Sequence, residues 1–491
     1  MPLIPFAPYL PDIPPRDNPG ALEAKNVIPK IASYGPFADF AANTDALTAR
    51  PQGAFACRDL SGAAHSFAGD ATKLYKLASS GLTWDDVSRT SGGAYTTDTA
   101  NGWSFTQFGN VVIAVNGTDA PQAYTLGSST DFAALAGSPP VARFAATVRE
   151  FVMLGRVASL FNEVRWCKFN DPTTWTVGVD QADLQDIADG GQVMGITGGT
   201  GATVFQRNGI TRGTYIGGDF IFQFDPISKS IGVAAENSIA AFQNDSFFRG
   251  DDGFWRLAGG IQLQPIGDSK VNKTLLDDLD PSYPHREVGA IDPQRSLYFY
   301  IYPGSGNSGG TPNRGFVYHW PSDRFARFEL ELEYVYQALT ASGYTLDSLD
   351  PAMPSIDGPP QISLDSPIWA GSGKIVLGGF NTSRRQGFFS GAPLEATVDT
   401  GEFALNDGYK TRVRSIRPIS DGGALSIVPI VRNKPTDSPT VGTAVAANTY
   451  GACPLNAVGR YHRARVQVAA GGTWNHLHGV DDVESSRAGK R

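Results

Sequence analysis

A short pattern recurs along the chain: two strand-like runs rich in aromatic or β-branched residues, separated by a cluster of Gly, Asp or Asn. Its sharpest copy is Ser246–Leu257 (SFFRGDDGFWRL). Gly and Asp tolerate the positive φ angles of tight turns, whereas Phe and Trp suit the half-buried face of a pleated strand. This stretch therefore predicts a β-hairpin.

The same pattern returns with different residues at intervals of roughly 40 to 60 residues, as radially repeated units do. The other predicted strand pairs are Gly109–Val115 with Ala123–Leu126, Phe151–Leu154 with Glu163–Trp166, Ala202–Gln206 with Thr211–Ile216, Ser296–Tyr302 with Gly315–Trp320, and Lys374–Leu377 with Gly387–Ser390. Small antiparallel sheets repeated around an axis form a β-propeller. We predict an all-β chain whose body is a propeller of about six to seven irregular blades.

Composition divides the chain into three parts. Residues 1–50 are rich in proline and predict an extended arm, since proline cannot propagate a helix or occupy a central strand. Residues 51–400 carry the hairpins and form the propeller body, with one predicted short helix at Val271–Leu279. Residues 401–491 contain strands with period-two alternation and predict a small β-sandwich-like domain with a basic tail.

The proline-rich arm would be disordered unless something holds it in place. We expect it to lie on a partner or on a neighbouring copy of the chain. The alternative is that it packs back across its own domain.

The charge is unevenly distributed. The net formal charge is −8, and the stretch from Leu405 to the end has twelve Lys and Arg against six Asp and Glu, which leaves −14 for the rest. An acidic body does not predict a protein that binds nucleic acid tightly, because phosphate binding depends on clustered basic residues. Arg460, Arg463 and Arg465 surround an aromatic residue and could meet DNA phosphates, although a solvated or subunit-facing strand explains them equally well.

The three cysteines, Cys57, Cys167 and Cys453, lack metal-ligand spacing and indicate buried thiols in a reducing compartment. The N-terminus has no signal-peptide pattern, and no apolar run is long enough to cross a membrane.

The motifs that suggest chemistry are weak. Gly198–Gly201 lacks the Lys-Ser/Thr of a phosphate-binding loop and precedes a strand. His476 and His478 alternate on one strand, but no third metal ligand accompanies them. Asn116 begins a glycosylation sequon that is better explained as a turn.

Acidic pairs matter because glycosidases need two carboxyl groups flanking the scissile bond. Asp251 and Asp252 are explained by turn chemistry. Asp347 and Asp350 are less clearly turn residues, but nothing in the sequence pairs them with an activated partner. We therefore predict no catalytic, cofactor-binding or metal-binding residues, and no enzyme.

A series of phrases resembles virion proteins of tailed bacteriophages and prophages, and is similar to the tail hub or nozzle proteins of short-tailed phages. The phrases are Leu10–Pro15, Asn18–Gly20, Asn26–Pro29, Gly69–Tyr75, Phe108–Val115, Val164–Trp166, Asn170–Trp175, Asp251–Phe254, Gly343–Leu349 and Gly459–Arg463. They extend over nearly the whole chain.

The resemblance implies a structural protein that forms a ring, commonly a hexamer, below the portal and adaptor rings of the virion. It implies a channel that conducts phage DNA without sequence-specific binding, and an outer surface that holds fibres or spikes. The protein would be made in the cytoplasm of the bacterial host. On this basis the candidate contacts with neighbouring subunits or the adaptor are Pro11, Pro14, Pro15, Asn26, Arg460, Arg463 and Arg465.

Two alternatives stay open. The first is a propeller glycosidase or depolymerase that acts on polysaccharide of the host surface, which would need a pair of acids in an open cleft. The second is a receptor-binding or fibre-docking module, which would need exposed aromatic residues on one set of loops.

Overall fold

A computed structural model of the chain describes residues 3–15, 18–79, 81–340, 373–405 and 409–489. Its regular structure is nearly all β-strand, as the sequence predicts. The strands of the N-terminal stretch are β1 (Ile4–Pro5), β2 (Ala24–Lys25), β3 (Val27–Pro29), β4 (Tyr34–Pro36) and β5 (Ala41–Ala46).

From Gly53 the chain forms one antiparallel four-stranded meander after another. Blade 1 consists of β6 (Gly53–Arg58), β7 (Ala64–Gly69), β8 (Leu74–Leu77) and β9 (Trp84–Asp86). Blade 2 consists of β10 (Ser104–Phe108), β11 (Val111–Val115), β12 (Gln122–Thr125) and β13 (Ala133–Ala134). Blade 3 consists of β14 (Ala142–Val148), β15 (Phe151–Val157), β16 (Leu160–Trp166) and β17 (Asp183–Asp186).

The second half of the body repeats this plan. Blade 4 consists of β18 (Val193–Thr197), β19 (Ala202–Gln206), β20 (Ile210–Tyr215) and β21 (Phe222–Ser228). Blade 5 consists of β22 (Ala240–Phe242), β23 (Asp245–Gly250), β24 (Gly253–Ala258) and β25 (Gln262–Pro265), and the helix α1 (Asn272–Asp278) follows it. Blade 6 consists of β26 (Val288–Asp292), β27 (Leu297–Tyr302), β28 (Arg314–His319) and β29 (Arg324–Glu329). Blade 7 begins with β30 (Leu332–Leu339), β31 (Ile375–Asn381) and β32 (Arg385–Phe388).

Blade 7 takes its fourth strand from the other end of the body. The N-terminal strand β5 pairs antiparallel with β32, with Ala41 opposite Phe388. The innermost strand of blade 7, β30, packs beside the innermost strand of blade 1, β6. The described residues therefore form a closed ring of seven blades, which confirms the predicted propeller.

The predicted hairpins are confirmed in every case. In β23 and β24, Gly250 lies opposite Gly253, so that Asp251 and Asp252 form a two-residue loop. The other five predicted strand pairs also lie side by side in their blades. The helix α1 lies within the predicted stretch 271–279.

Aromatic side chains fill the space between neighbouring blades. Phe254 of blade 5 packs edge-on against Tyr300 of blade 6, with ring centroids 4.9 Å apart, and stacks on Phe325 at 5.6 Å. Phe247 stacks on Tyr298 at 5.3 Å. Such pairs contribute about 0.5–1.5 kcal/mol beyond the burial of their area. The alternating aromatic residues of the hairpins thus supply the packing that holds blade to blade.

The C-terminal part is a sandwich of two packed sheets, as predicted. Its strands are β33 (Ala396–Asp399), β34 (Lys410–Ser420), β35 (Leu425–Arg432), β36 (Thr440–Val441), β37 (Val445–Ala446), β38 (Cys453–Gly459), β39 (Tyr461–Val468) and β40 (Leu477–Gly489). One sheet contains β40, β34 and β38, and the other contains β33, β39 and β35. In β39, buried and half-buried residues alternate along the strand, so one face of the sheet forms the sandwich core.

A ten-stranded sheet joins the propeller to the sandwich. The N-terminal strand β2 pairs in parallel with the outer strand of blade 6, with Lys25 opposite Arg327, and antiparallel with β33, with Ala24 opposite Val398. Because β33 precedes Gly401, the sandwich begins slightly before the composition change. Backbone hydrogen bonding therefore runs without a break from blade 6 through the N-terminal stretch into the C-terminal domain.

Both ends of the chain differ from the sequence-based expectation. The arm packs on its own chain: Phe6 and Tyr9 are 1% and 2% exposed, and β1 pairs with β40. This is the alternative considered for the arm, and it occurs because apolar side chains between the prolines are buried against the sandwich. At the other end, where the sequence predicts a basic tail, residues 485–489 continue β40 beside β34.

Candidate functional site

The first strand of every blade faces a central cavity on the propeller axis. Its volume is about 280 Å³, just below the range of pockets that hold small organic ligands. Its walls include the aromatic side chains Trp103, Phe105, Phe144 and Tyr334.

No helix in the described ranges has the length and apolar character needed to cross a membrane.

An ion triad lies in the wall of this cavity. Arg143 donates to Glu236 Oε1 from Nε at 3.2 Å and Nη2 at 2.7 Å, and Arg156 donates to Oε2. Arg143 and Glu236 are almost fully buried, and the Arg143 guanidinium also lies over the Phe144 ring. Of the described residues that line the cavity, Glu236 is the single carboxylate. A carboxylate bound by two arginines is typical of a structural ion cluster, and this one connects blade 3 to the segment that precedes blade 5.

A second charged cluster surrounds the mouth of the cavity. Arg286 donates to Glu333, and both side chains are nearly buried. Arg50 donates to the carbonyl oxygen of Thr99 at 3.2 Å, and among the described residues no carboxylate lies within ion-pair distance of it. Burial and the neighbouring charge of Arg286 lower the pKa of Arg50 to about 10. Burial, together with both arginines, also lowers the pKa of His285.

The junction between the three parts of the chain is a third polar region. Arg327 of blade 6 forms two hydrogen bonds with Glu23 of the N-terminal stretch, at 2.6 and 2.8 Å. Although burial alone would lower the pKa of Arg327, the bonds to Glu23 raise it. Paired hydrogen bonds between a guanidinium and a carboxylate also define an orientation, so this contact aligns β2 on blade 6.

Asn26 lies at the centre of this junction. It is buried and has a left-handed backbone conformation, with a φ of 55°. Its Nδ2 donates to the carbonyl oxygen of Glu395 at 3.0 Å, and its Oδ1 accepts from the backbone N–H of Glu329 at 3.0 Å. The residue predicted to contact a neighbouring subunit therefore has its hydrogen-bonding partners within its own chain.

Arg463 and Arg465 share one buried acid. Arg465 donates to Asp399 at 2.7 and 3.1 Å, and Arg463 lies 3.3 Å from the same carboxylate, which is 1% exposed. Burial raises the pKa of Asp399, while the two arginines act in the opposite direction. Both guanidinium groups are thus paired with a carboxylate on the face of β39 opposite the sandwich core, and paired guanidinium groups attract phosphates less than free ones. Arg460 is half-buried, and its backbone N–H bonds to Arg432.

The predicted proline contacts lie on the N-terminal stretch beside blade 6. Pro11 is half-buried and lines a cavity of about 330 Å³ between that stretch, α1 and blade 6. Pro14 is exposed and Pro15 is half-buried. Asp12, next to Pro11 in the sequence, binds the start of α1. Its carboxylate accepts hydrogen bonds from the backbone N–H groups of Lys273 at 2.8 Å and Thr274 at 2.9 Å.

The remaining sequence motifs have structural roles in the described residues. Gly198–Gly201 forms the turn between β18 and β19. Asn116 is buried, and its Oδ1 accepts from the N–H groups of Thr118 and Asp119, which confirms the predicted turn. The His476 and His478 rings stack at 5.5 Å, and His476 bonds to Ser33. No group of three potential metal ligands occurs within the described ranges.

The acidic candidates divide into two sets. Asp251 forms a bidentate pair with Arg207, at 2.8 Å for both bonds, which lowers the pKa of Asp251. Asp252 accepts from the indole N–H of Trp255 at 2.6 Å. Both bonds stabilise the hairpin loop. Asp347 and Asp350 lie outside the described residues.

Sequence reasoning missed the residues that connect distant segments, such as Asp12, Glu23 and Arg50. Each is joined to its partner only by the fold, and no local spacing marks it. The one available signal was the position of Asp12 and Asn26 within the phrases that carry the phage resemblance.

Comparison with protein-family models and with curated proteins found no match. Among solved structures, the chain is similar to the extracellular domain of a hybrid two-component system of B. thetaiotaomicron, with 10% identity and a TM-score of 0.40 over 85% of this chain. The chain spans about half of that domain, 47% of its length.

The chain is also similar to the WD40 domain of Neurospora crassa Pan2, with 9% identity and a TM-score of 0.34 over 61% of this chain and 82% of that one. A further similarity is to U3-55K, with 10% identity and a TM-score of 0.39 over 62% of this chain and 89% of that one. At these TM-scores the assignment of a propeller rests on the strand pairing within the chain itself.

Proposed function

We propose that the protein is a structural virion component of a tailed bacteriophage, a tail nozzle or hub that forms a ring below the portal and adaptor, conducts DNA during ejection and anchors fibres. The observation that carries the proposal is the ten-stranded sheet through the N-terminal stretch. A ring subunit that transmits load between neighbours benefits from a body and an appended domain that cannot hinge. A continuous sheet with buried ion pairs meets that requirement.

Support also comes from the positions of the phrases that resemble phage proteins. Asn18 binds Gly20 N at 2.7 Å through Oδ1 and closes a turn of the N-terminal stretch. Asn26 and Asp12 bond to the propeller, and the phrase Gly459–Arg463 includes an arginine of the Asp399 cluster. Three residues of these phrases, Asp12, Asn26 and Arg463, therefore lie at contacts between segments that are distant in the sequence.

The DNA path in this proposal runs between subunits rather than through the propeller. A cavity of about 280 Å³, with aromatic walls and a buried ion triad, is slightly smaller than the pockets that hold small organic ligands. Several copies must therefore surround a wider channel, and a hexamer is the arrangement that we favour. An acidic body suits such a channel, because weak attraction for phosphates lets DNA slide.

The residues that line the axial cavity give the glycosidase alternative less support. The mechanism needs two carboxyl groups facing one substrate, one of them protonated. In the described lining of the cavity, Glu236 is alone and both of its oxygens accept hydrogen bonds from arginines. Both oxygens of this carboxylate are therefore occupied by guanidinium donors, and the described lining offers no second carboxyl group to act with it.

Localisation in the particle tests the proposed role. Antibodies against the full-length protein should label purified virions of the encoding phage or prophage at the end of the tail nearest the cell, and not at the head. Absence of the protein from purified virions, measured by mass spectrometry of their components, would contradict the proposal.

A further inference from the structure

A small pocket lies on what we call the entry face, the end of the propeller where the connections at residues 50–52, 101, 237, 285–288 and 333–334 lead into the innermost strands. The pocket volume is about 10 Å³, and Arg50, Gln52, Asn237, His285, Arg286 and Glu333 are among the residues that line it. This space is about that of one water-sized sphere. Asn237 and Tyr334 line both this pocket and the central cavity, so the pocket lies at the cavity mouth.

The pocket carries an excess of positive charge. Arg50 and Arg286 contribute two guanidinium groups, and Glu333, the carboxylate in the lining, is already bound by Arg286. Arg50 is half-buried and donates to a carbonyl oxygen instead of a carboxylate. Two cations that share a half-buried space with one acid repel each other unless an anion or water enters.

One donor in this cluster has no acceptor. The side chain of Arg286 is 9% exposed, and its Nε forms no hydrogen bond with the described residues. A buried guanidinium donor without a partner is costly, because it has lost its bond to water. A ligand that accepts hydrogen bonds would remove this cost.

We propose that the entry-face pocket binds a small monatomic anion, chloride in solution, between Arg50 and Arg286. The size of the pocket selects a halide over phosphate, sulfate or a carboxylate ligand. The bound ion offsets the repulsion between the two guanidinium groups and stabilises the connections that converge there from blades 1, 2, 5, 6 and 7. The site does not depend on the assembly proposed above.

Thermal unfolding of the full-length protein at constant ionic strength tests this site. Replacing gluconate by chloride or bromide should raise the unfolding temperature by about 2–4 °C, since an ion that binds only the folded state stabilises it. The variant Arg50→Gln should lose at least half of this rise. The control Arg414→Gln removes an exposed guanidinium of the C-terminal domain and should keep the full rise. The proposal is overturned if the unfolding temperature does not change with halide, or if halide raises it equally in Arg50→Gln and the wild type.

A direct measurement covers the case in which Arg50→Gln does not fold. Crystals of the wild-type protein soaked in bromide should show an anomalous peak between Arg50 and Arg286. A pocket without that peak, occupied by water alone, overturns the proposal.

Discussion

Asn26 has a left-handed backbone, and its side-chain amide bonds to two other parts of the chain. Its partners, Glu329 and Glu395, are 303 and 369 residues away in sequence. No local pattern predicts bonds over such distances, and so the sequence identified Asn26 as notable without identifying its partners. The same holds for Arg463 and Arg465, whose shared acid, Asp399, lies 66 residues from Arg465. At the scale of residues, sequence found turn chemistry well and long-range polar contacts poorly.

Substitution of Asn26 tests whether its side chain holds the junction. Asn26→Ala removes both hydrogen bonds, and alanine adopts the left-handed backbone conformation less readily than asparagine. We therefore expect a loss of about 2–4 kcal/mol in the free energy of unfolding. Asn26→Gly keeps the backbone conformation and should lose less. Urea denaturation of the full-length protein measures both.

Asn170 offers a matched control for the backbone effect. It has the same φ of 55° but is exposed. Asn170→Ala should lose only about 1 kcal/mol, the cost of the left-handed conformation. Equal losses at positions 26 and 170 would show that the Asn26 hydrogen bonds do not stabilise the junction.

Elements formed by neighbouring segments were predictable, and elements formed by distant segments were not. The hairpin β23–β24 follows from a few residues, because aromatic runs around an Asp-Asp turn leave little alternative. In contrast, β2 is two residues long and pairs with strands from blade 6 and the sandwich. The helix α1 shows both cases: its sequence predicts it, but its cap, Asp12, comes from the N-terminal stretch.

Removal of the long-range cap should destabilise the contact between the N-terminal stretch and blade 5. A seven-residue helix is marginal alone, and its first N–H groups need an acceptor. Asp12→Ala should lower the free energy of unfolding by about 0.5–2 kcal/mol, and Asp12→Asn, which still accepts, should lose less.

Asp277 provides the control for the loss of a charge near α1. Its carboxylate pairs with Lys273 on the exposed face of the helix, four residues away. Asp277→Ala should change stability by less than about 0.5 kcal/mol. If Asp12→Ala is equally mild in urea denaturation, the N-terminal stretch is not held through the helix.

The whole molecule is a seven-bladed propeller joined to a β-sandwich by its own N-terminal stretch. The sequence predicted the propeller, the approximate blade number and the C-terminal domain, because repeated hairpins and a composition change reveal them. It did not predict that β5 closes the ring or that β2 joins the domains, since both pairings bring together opposite ends of the chain. The axial cavity is slightly smaller than the pockets that hold small organic ligands, so a role in conducting DNA requires several copies around a common channel.

The mass of the native assembly tests this central claim most directly. Native mass spectrometry of the full-length protein, and of the protein released from virions, should give a closed ring, with six copies of the 52.3 kDa chain as the expected species. A closed ring of another number would keep the channel and change only the symmetry. A strictly monomeric protein from both sources would contradict the account.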